Sequence, residues 1–259
     1  MRLDNKVALV TGGGVGIGKA ISIAFAREGA DLVIASPFPA ELEPTAKEIK
    51  SMGRQCLAVV TDITDEKQVR NMVVETVKKY GRIDILVNNS GISGKTANVI
   101  DVDIEDWNKT LTLNLTGSLL CAKEALKVMI PRKSGNVLNI SSVSGKRGFA
   151  MRSPYTASKW GLVGLTQTWA LEVGKHNIRV NCICPGPCQG ERIERVMRAN
   201  ALAKGLTYEA ILADATKGAA LNRMVTPEEV AAVAVFLASD EASGMTGQAI
   251  NVTAGLEMK

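Results

Sequence analysis

Tyr155 and Lys159, four residues apart in Tyr155-Thr156-Ala157-Ser158-Lys159, carry this chain's clearest capacity for chemistry. On a helix that spacing sends both side chains from one face. A free phenol has a pKa of about 10, too high for a base at neutral pH. A cation ~4 Å away at an effective dielectric of ~20 favours the phenolate by roughly 4 kcal/mol before solvation costs. That is on the order of three pKa units, enough to make a tyrosine a working acid or base. Taken alone, the spacing also describes an ordinary helix surface. Ser142 stands thirteen residues earlier, at the end of an apolar run that predicts a strand. Strand ends are where open α/β sheets hold ligands.

A second candidate lies near the start. Thr11-Gly12-Gly13-Gly14-Val15-Gly16-Ile17-Gly18 follows the first apolar run and opens an amphipathic stretch. Glycines let the backbone turn tightly and approach a pyrophosphate with no Cβ in the way, and a helix N-terminus offers free N–H groups and partial positive charge. Other chemistries fit poorly. A single histidine, His176, argues against a Ser-His-Asp hydrolase. The cysteines, Cys56, Cys121, Cys182, Cys184 and Cys188, form no paired CxxC units, so no structural metal is expected.

The elements that must position these residues follow from hydrophobic periodicity. Strands are predicted over Lys6–Val10, Leu32–Ala35, Cys56–Val60, Ile83–Val87, Val137–Ile140 and Ile178–Ile183. Helices are predicted over Gly18–Arg27, about Ala40–Met52, Asp65–Tyr80, about Ile104–Met129 and Pro154–Val173. Strands alternating with helices imply one α/β, doubly wound (Rossmann-like) parallel sheet with helices on both faces. We read residues 1–259 as a single domain. Residues 186–226 break the alternation for about 40 residues, too long for a plain connection, and are expected to form a helical substrate lid. The alternative is an extra helix pair at the sheet edge. The net charge of +5 comes without a run of like charges, which disfavours nucleic acid. No apolar stretch is long enough for a membrane span, and glycines interrupt the N-terminal apolar run before signal-peptide length. A cytoplasmic protein is expected.

The glycine turn, Asn88-Asn89-Ser90-Gly91, Asn139-Ile140-Ser141-Ser142, the Tyr155–Lys159 motif and Pro185-Gly186 occur in this order. Over nearly its whole length the chain resembles the short-chain dehydrogenase/reductase family. The resemblance implies hydride transfer between a nicotinamide and a secondary alcohol or ketone, with Asn114, Ser142, Tyr155 and Lys159 as the catalytic set. Tyr155 exchanges the proton, Ser142 holds the substrate oxygen, Lys159 also holds the nicotinamide ribose, and Asn114 holds a water beside the lysine. It places the dinucleotide on Gly12, Gly14, Val15, Gly16 and Ile17, on Ser36 after the second strand, and beside Asp62 and Ile63. Asn89, Ser90 and Gly91 follow, and Pro185, Gly186 and Cys188 lie at the nicotinamide end with Tyr155 and Lys159. A homotetramer is implied, built on the two long helices and a C-terminal strand around Gln248–Val252.

The chain departs from this family where the cofactor is chosen. An aspartate after the second strand grips the ribose of NAD, and a nearby arginine grips the phosphate of NADP. Here the run is Ser36-Pro37-Phe38, and Val15 stands where NADP users often carry a base. NAD or NADP is expected, with the balance toward NAD because nothing compensates a phosphate dianion. The family's Asn-Asn-Ala-Gly is Asn-Asn-Ser-Gly, and the threonine often found after Pro-Gly gives way to Pro187-Cys188-Gln189-Gly190. For the substrate, Arg152 sits three residues before Tyr155, where 3-hydroxybutyrate dehydrogenases of this family grip a carboxylate with a base. Ser144, Gln189, Arg192 and Arg195 join Ser142, Arg152 and Tyr155 as candidate substrate contacts, with Arg192, Arg195 and Arg198 at helical intervals. A small polar anion is expected. Glu191 and Glu194 could instead neutralise these arginines. Alternatives are a neutral sugar or polyol, a 3-oxoacyl thioester, and, in another class, a non-catalytic dinucleotide sensor or scaffold.

Overall fold

The computed structural model describes residues 1–259. Seven strands form one all-parallel sheet in the order β3-β2-β1-β4-β5-β6-β7. They are β1 (Val7–Thr11), β2 (Asp31–Ser36), β3 (Cys56–Val60), β4 (Ile85–Asn88), β5 (Gly135–Ile140), β6 (Ile178–Pro185) and β7 (Ala249–Val252). Every residue of β1 and β4 is buried, as a parallel sheet covered on both faces requires. Side chains alternate between two cores: Ala8 and Val10 face one, and Leu9 between them faces the other.

The first core lies under α1 (Gly16–Arg27), α2 (Pro39–Ser51) and a late helix, and packs Ile21, Phe25, Leu42 and Ile49 with Val230 and Leu237. The second lies under α3 (Glu66–Tyr80), the α4 (Ile104–Leu111) to α5 (Gly117–Arg132) unit and α6 (Ser153–Val173), and packs Met72, Cys121, Met129 and Trp169. Asp65 caps α3 by accepting from the Lys67 and Gln68 amides, and Gly81 ends it in the left-handed conformation. Chain direction across the sheet reverses between β1 and β4. The crevice outside their C-terminal ends is therefore the switch point where such sheets hold ligands.

The stretch expected as one helix over Ile104–Met129 is continuous but contains a π turn at Thr112–Thr116. Beyond β6, residues 186–226 hold α7 (Glu191–Lys204) and α8 (Tyr208–Lys217). Met197, Ala201 and Ile211 give this excursion a small core of its own. Its two ends meet at a parallel bridge between Cys188 and Val225, tied by Gln189 N–H to Val225 O at 2.9 Å and Val225 N–H to Pro187 O at 3.0 Å. Then α9 (Pro227–Ala238) returns to the first core. No helix is long and apolar enough to cross a membrane.

Candidate active site

The glycine turn leaves β1 with Gly12 and Gly16 at positive φ, +62° and +53°. A Cβ on Gly18 would lie 2.0 Å from the Gly12 carbonyl oxygen, and one on Gly14 would lie 2.3 Å from that of Glu41. These positions admit only glycine. Thr45 Oγ1 donates to the Gly14 carbonyl at 2.9 Å, which docks α2 onto the turn. The N-cap of α1 is Val15, whose side chain caps nothing, so the first-turn N–H groups stay free for an anion. That uncapped terminus beside a Cβ-free cradle fits the pyrophosphate of a dinucleotide.

Thr11 and Asn89 lock the ends of β1 and β4 together. Thr11 Oγ1 accepts from the Asn89 and Ser90 amides at 3.0 and 3.1 Å. Asn89 Nδ2 donates back to the Thr11 and Gly12 carbonyls at 2.9 and 3.1 Å. Asn89 thus serves the cradle from behind, a role its motif did not specify. At the end of β2, buried Ser36 donates through Oγ to Glu41 Oε2 at 2.8 Å and accepts from Phe38 N–H at 3.2 Å. Beyond β3, Asp62 Oδ1 accepts from the amide and hydroxyl of Thr64 at 2.9 and 2.8 Å. Ile63 is buried and fills the space that a Cβ on Gly117 would need.

Lys159 is 4% exposed, and its Nζ donates to the Ile140 carbonyl at the end of β5, at 2.9 Å. Burial pushes its ammonium pKa down, and Tyr155 pulls the other way. Two basic side chains lie near the half-buried Tyr155 ring, with Arg152 Cζ 5.2 Å and Lys159 Nζ 5.7 Å from its centroid. Ser142 lies two residues beyond the end of β5, its Oγ accepting from the Ser144 amide at 3.1 Å. Ser144 itself is buried. The neighbouring Ser141 hydroxyl is spent on the Lys159 carbonyl at 2.9 Å, which leaves Ser142 as the serine free to meet a ligand.

Asn114 is fully buried in the π turn. Its Oδ1 accepts from Ile92 N–H at 2.8 Å. Its Nδ2 donates to the Ile92 carbonyl and to Ser158 Oγ, both at 3.0 Å. Both amide protons are thus spent within the chain, so a water at Asn114 would have to act as donor. Gly91 packs against the Asn114 amide and near Lys159 Nζ.

Arg152 forms the N-cap of α6 after Met151, which holds a positive φ of 64°. The guanidinium is buried, donating to the Ser93 carbonyl at 2.7 Å and Thr96 Oγ1 at 3.4 Å. No carboxylate pairs with it. Burial pushes its pKa down against the opposing pull of Tyr155 and Asp106. It lines a cavity of about 470 Å³ with residues 93–96 and Arg195, Val196, Ala199, Leu202 and Ala203 of α7.

The other expected substrate residues divide. Arg195 reaches this cavity, whereas Arg192 and Gln189 are exposed and do not line it. Arg198 turns away, its Cζ 4.9 Å from the Tyr208 ring of α8. Glu191 and Glu194 pair with none of these arginines. Pro185 is buried at the end of β6, and Gly186 follows it against Thr253. Cys188 sits half-buried at the neck of the excursion, where burial pushes its thiol up to about 12. Thr45, Ser93 and Thr96 carry no signal in the sequence, and Thr11 and Ser158 stand inside motifs that assign them no role. Each is a small polar residue whose role is fixed by a partner far away in the chain.

Comparison with known proteins agrees with this architecture. A family model described as Enoyl-(Acyl carrier protein) reductase matches residues 13–257. The chain is similar to a 3-oxoacyl-(acyl-carrier-protein) reductase of Thermotoga maritima, at 38% identity over 99% of both chains. It is similar in structure to NAD+-bound xylitol dehydrogenase, at a TM-score of 0.95 and 30% identity, covering 97% of this chain and 99% of that one. An actinorhodin polyketide ketoreductase variant with NADPH gives a TM-score of 0.93 at 33% identity, covering 97% of both.

Proposed function

The chain belongs to the short-chain dehydrogenase/reductase family, as an NAD(P)-dependent oxidoreductase acting on CH–OH and ketone groups, and we propose that its substrate is a small polar anion gripped by Arg152. The observation that carries this reading is the buried guanidinium, which has no carboxylate partner, lies 5.2 Å from the Tyr155 ring centroid and lines a cavity whose walls include neither Tyr155 nor Ser142. An unpaired buried cation costs several kcal/mol, and a carboxylate, sulfonate or phosphate entering the cavity offsets that cost with paired charge-assisted hydrogen bonds. Arg195 on the lid adds a second positive charge to the same space.

The bound nicotinamide supplies the hydride chemistry; the chain supplies position and proton transfer. Ser142 holds the substrate oxygen. In oxidation the Tyr155 oxygen takes the hydroxyl proton as the carbon gives up its hydride, and in reduction both movements reverse. Arg152 and Lys159 stabilise the phenolate that Tyr155 must be before it takes the proton in oxidation and that is left after it gives the proton in reduction. Asn114 holds the Ile92 segment against the Lys159 helix. NAD is the preferred cofactor, because Val15, Ser36, Pro37 and Phe38 offer no cation to a 2′-phosphate. A 3-oxoacyl thioester is the second reading, supported by similarity to the Thermotoga maritima reductase. The enzyme assembles as a homotetramer, a reading supported by the exposed Leu119 and Trp160 and the 86% exposed Leu171 on α5 and α6.

The test compares Arg152→Ala with wild type on a hydroxy acid and its neutral amide. A hydrogen bond to a charged group is worth about 1.5–3 kcal/mol, so KM for the acid should rise roughly 10- to 150-fold. The amide should change little. An equal rise for both analogues would leave Arg152 only its structural bonds to Ser93 and Thr96.

A further inference from the structure

The end of β2 lacks the acidic residue that usually reads the adenosine ribose, yet a carboxylate stands there. Glu41, in the first turn of α2, reaches back so that its Oε2 accepts from Ser36 Oγ at 2.8 Å. Ser36 is buried and also fixed by the Phe38 amide at 3.2 Å. The glutamate backbone is equally fixed. The Gly14 and Glu41 main chains approach so closely that no Cβ fits between them, and Thr45 Oγ1 holds the Gly14 carbonyl. Glu41 therefore belongs to the wall of the glycine cradle. It forms no ion pair: Lys19, the base on the facing helix, is engaged with Glu48 at 2.9 Å.

We infer that Glu41, oriented by Ser36, is the residue that selects NAD over NADP. This rests on the dinucleotide reading of the cradle and gives it a mechanism specific to this chain. A carboxylate at the β2 edge accepts a hydrogen bond from a ribose hydroxyl and repels a 2′-phosphate dianion. Supplying it from α2 leaves the strand end with a short hydroxyl, Ser36, that positions the charge without carrying it. Glu41 is a specificity-determining residue, apart from the proton chemistry at Tyr155.

The experiment is equilibrium binding of NADH, NADPH and 2′,5′-ADP to wild type, Glu41→Gln and Ser36→Ala, by calorimetry, with circular dichroism to verify folding. Glutamine keeps the shape and can still accept from Ser36, so the fold is expected to survive. Wild type should bind NADH more tightly than NADPH. Glu41→Gln should narrow that ratio at least tenfold, chiefly by tightening NADPH, and should tighten 2′,5′-ADP, which carries the phosphate without the nicotinamide. Ser36→Ala should move the ratio in the same direction by less. Tighter NADPH binding by wild type, or equal shifts for both dinucleotides in Glu41→Gln, would overturn the assignment while leaving the dinucleotide site intact. Binding of none of the three ligands by any form would overturn the cradle reading and this inference together.

Discussion

Replacing Asn114 with alanine tests whether the π turn is a structural clamp. The side chain is fully buried and makes three hydrogen bonds, two to the Ile92 backbone and one to Ser158. Each such bond contributes about 1 kcal/mol net, and a stranded buried partner costs ~1–3 kcal/mol. Ile92 is only half-buried, so water can partly replace what it loses. Ser158 keeps its bond to the Tyr155 carbonyl at 2.7 Å. The loss should therefore total roughly 3 kcal/mol. At about 2–4 °C per kcal/mol for a chain of this size, Tm should fall by roughly 6–12 °C. Calorimetry at one fixed protein concentration measures this, since oligomers melt in a concentration-dependent way. Asn114→Asp should fall between, because it keeps an acceptor for Ile92 N–H and loses both donors. A variant with unchanged Tm and reduced kcat would refute the clamp and assign Asn114 to water binding alone.

Tyr155→Phe should lose on the order of 10²–10⁴ in kcat, the usual worth of a positioned acid or base, while binding the dinucleotide unchanged by calorimetry. Gly18→Ala should be worse than Gly16→Ala. Its Cβ would meet the Gly12 carbonyl at 2.0 Å, whereas one on Gly16 meets nothing within 4 Å. Strain of ~1–3 kcal/mol and loss of dinucleotide affinity are expected for the first, and ~1–2 kcal/mol from left-handed backbone alone for the second, read by denaturant unfolding and titration. Glu229 closes the capping box of α9 with Thr226, and its bonds to Arg223 and to the Thr226 amide hold its pKa down at about 2. A carboxyl depressed in the folded state stabilises above its unfolded pKa and loses that contribution as pH falls toward 2. Because the pair is largely solvent-exposed, Glu229→Gln should cost only ~1 kcal/mol at pH 7, and the difference from wild type should vanish near pH 2.

The order of strands and helices was legible because each strand is a short apolar run and most helices carry a stripe. Cys56–Val60 matches its strand at both ends. The helix α9 had no such signal: Val230, Ala231, Ala234, Val235 and Leu237 are buried on several sides, so its apolar residues form no single stripe. The π turn was invisible for another reason. Asn114 within it bonds to Ile92, twenty-two residues away, and no local propensity encodes that pairing. The spacing of Arg192, Arg195 and Arg198 placed them on a helix, yet it could not say that Arg198 would stack on Tyr208. Likewise, the missing acid after β2 was plain in the sequence, while its replacement by Glu41 required the helix start to fold back on Ser36.

The cavity is held by two halves of unequal firmness, and this bears on how an anion would be captured. On the body side, Arg152 is fixed by Ser93 and Thr96. That segment is itself tied to α4 by the Lys95 amide and ammonium, which donate to Asp106 and Asp103 at 2.8 and 3.0 Å. On the other side, α7 packs mainly on α8 through the small core of Met197, Ala201 and Ile211. The direct side-chain hydrogen bond between them across the cavity is Thr96 to Asn200, at 3.4 Å. A unit with its own core and a two-stranded neck can shift as a body without losing its internal packing. Arg152 then provides a preorganised charge, while Arg195 contributes only as far as α7 is in place. By this reasoning, loss of Arg152 should cost more affinity for an anion than loss of Arg195, because only the former guanidinium is held in place by hydrogen bonds to the body of the fold.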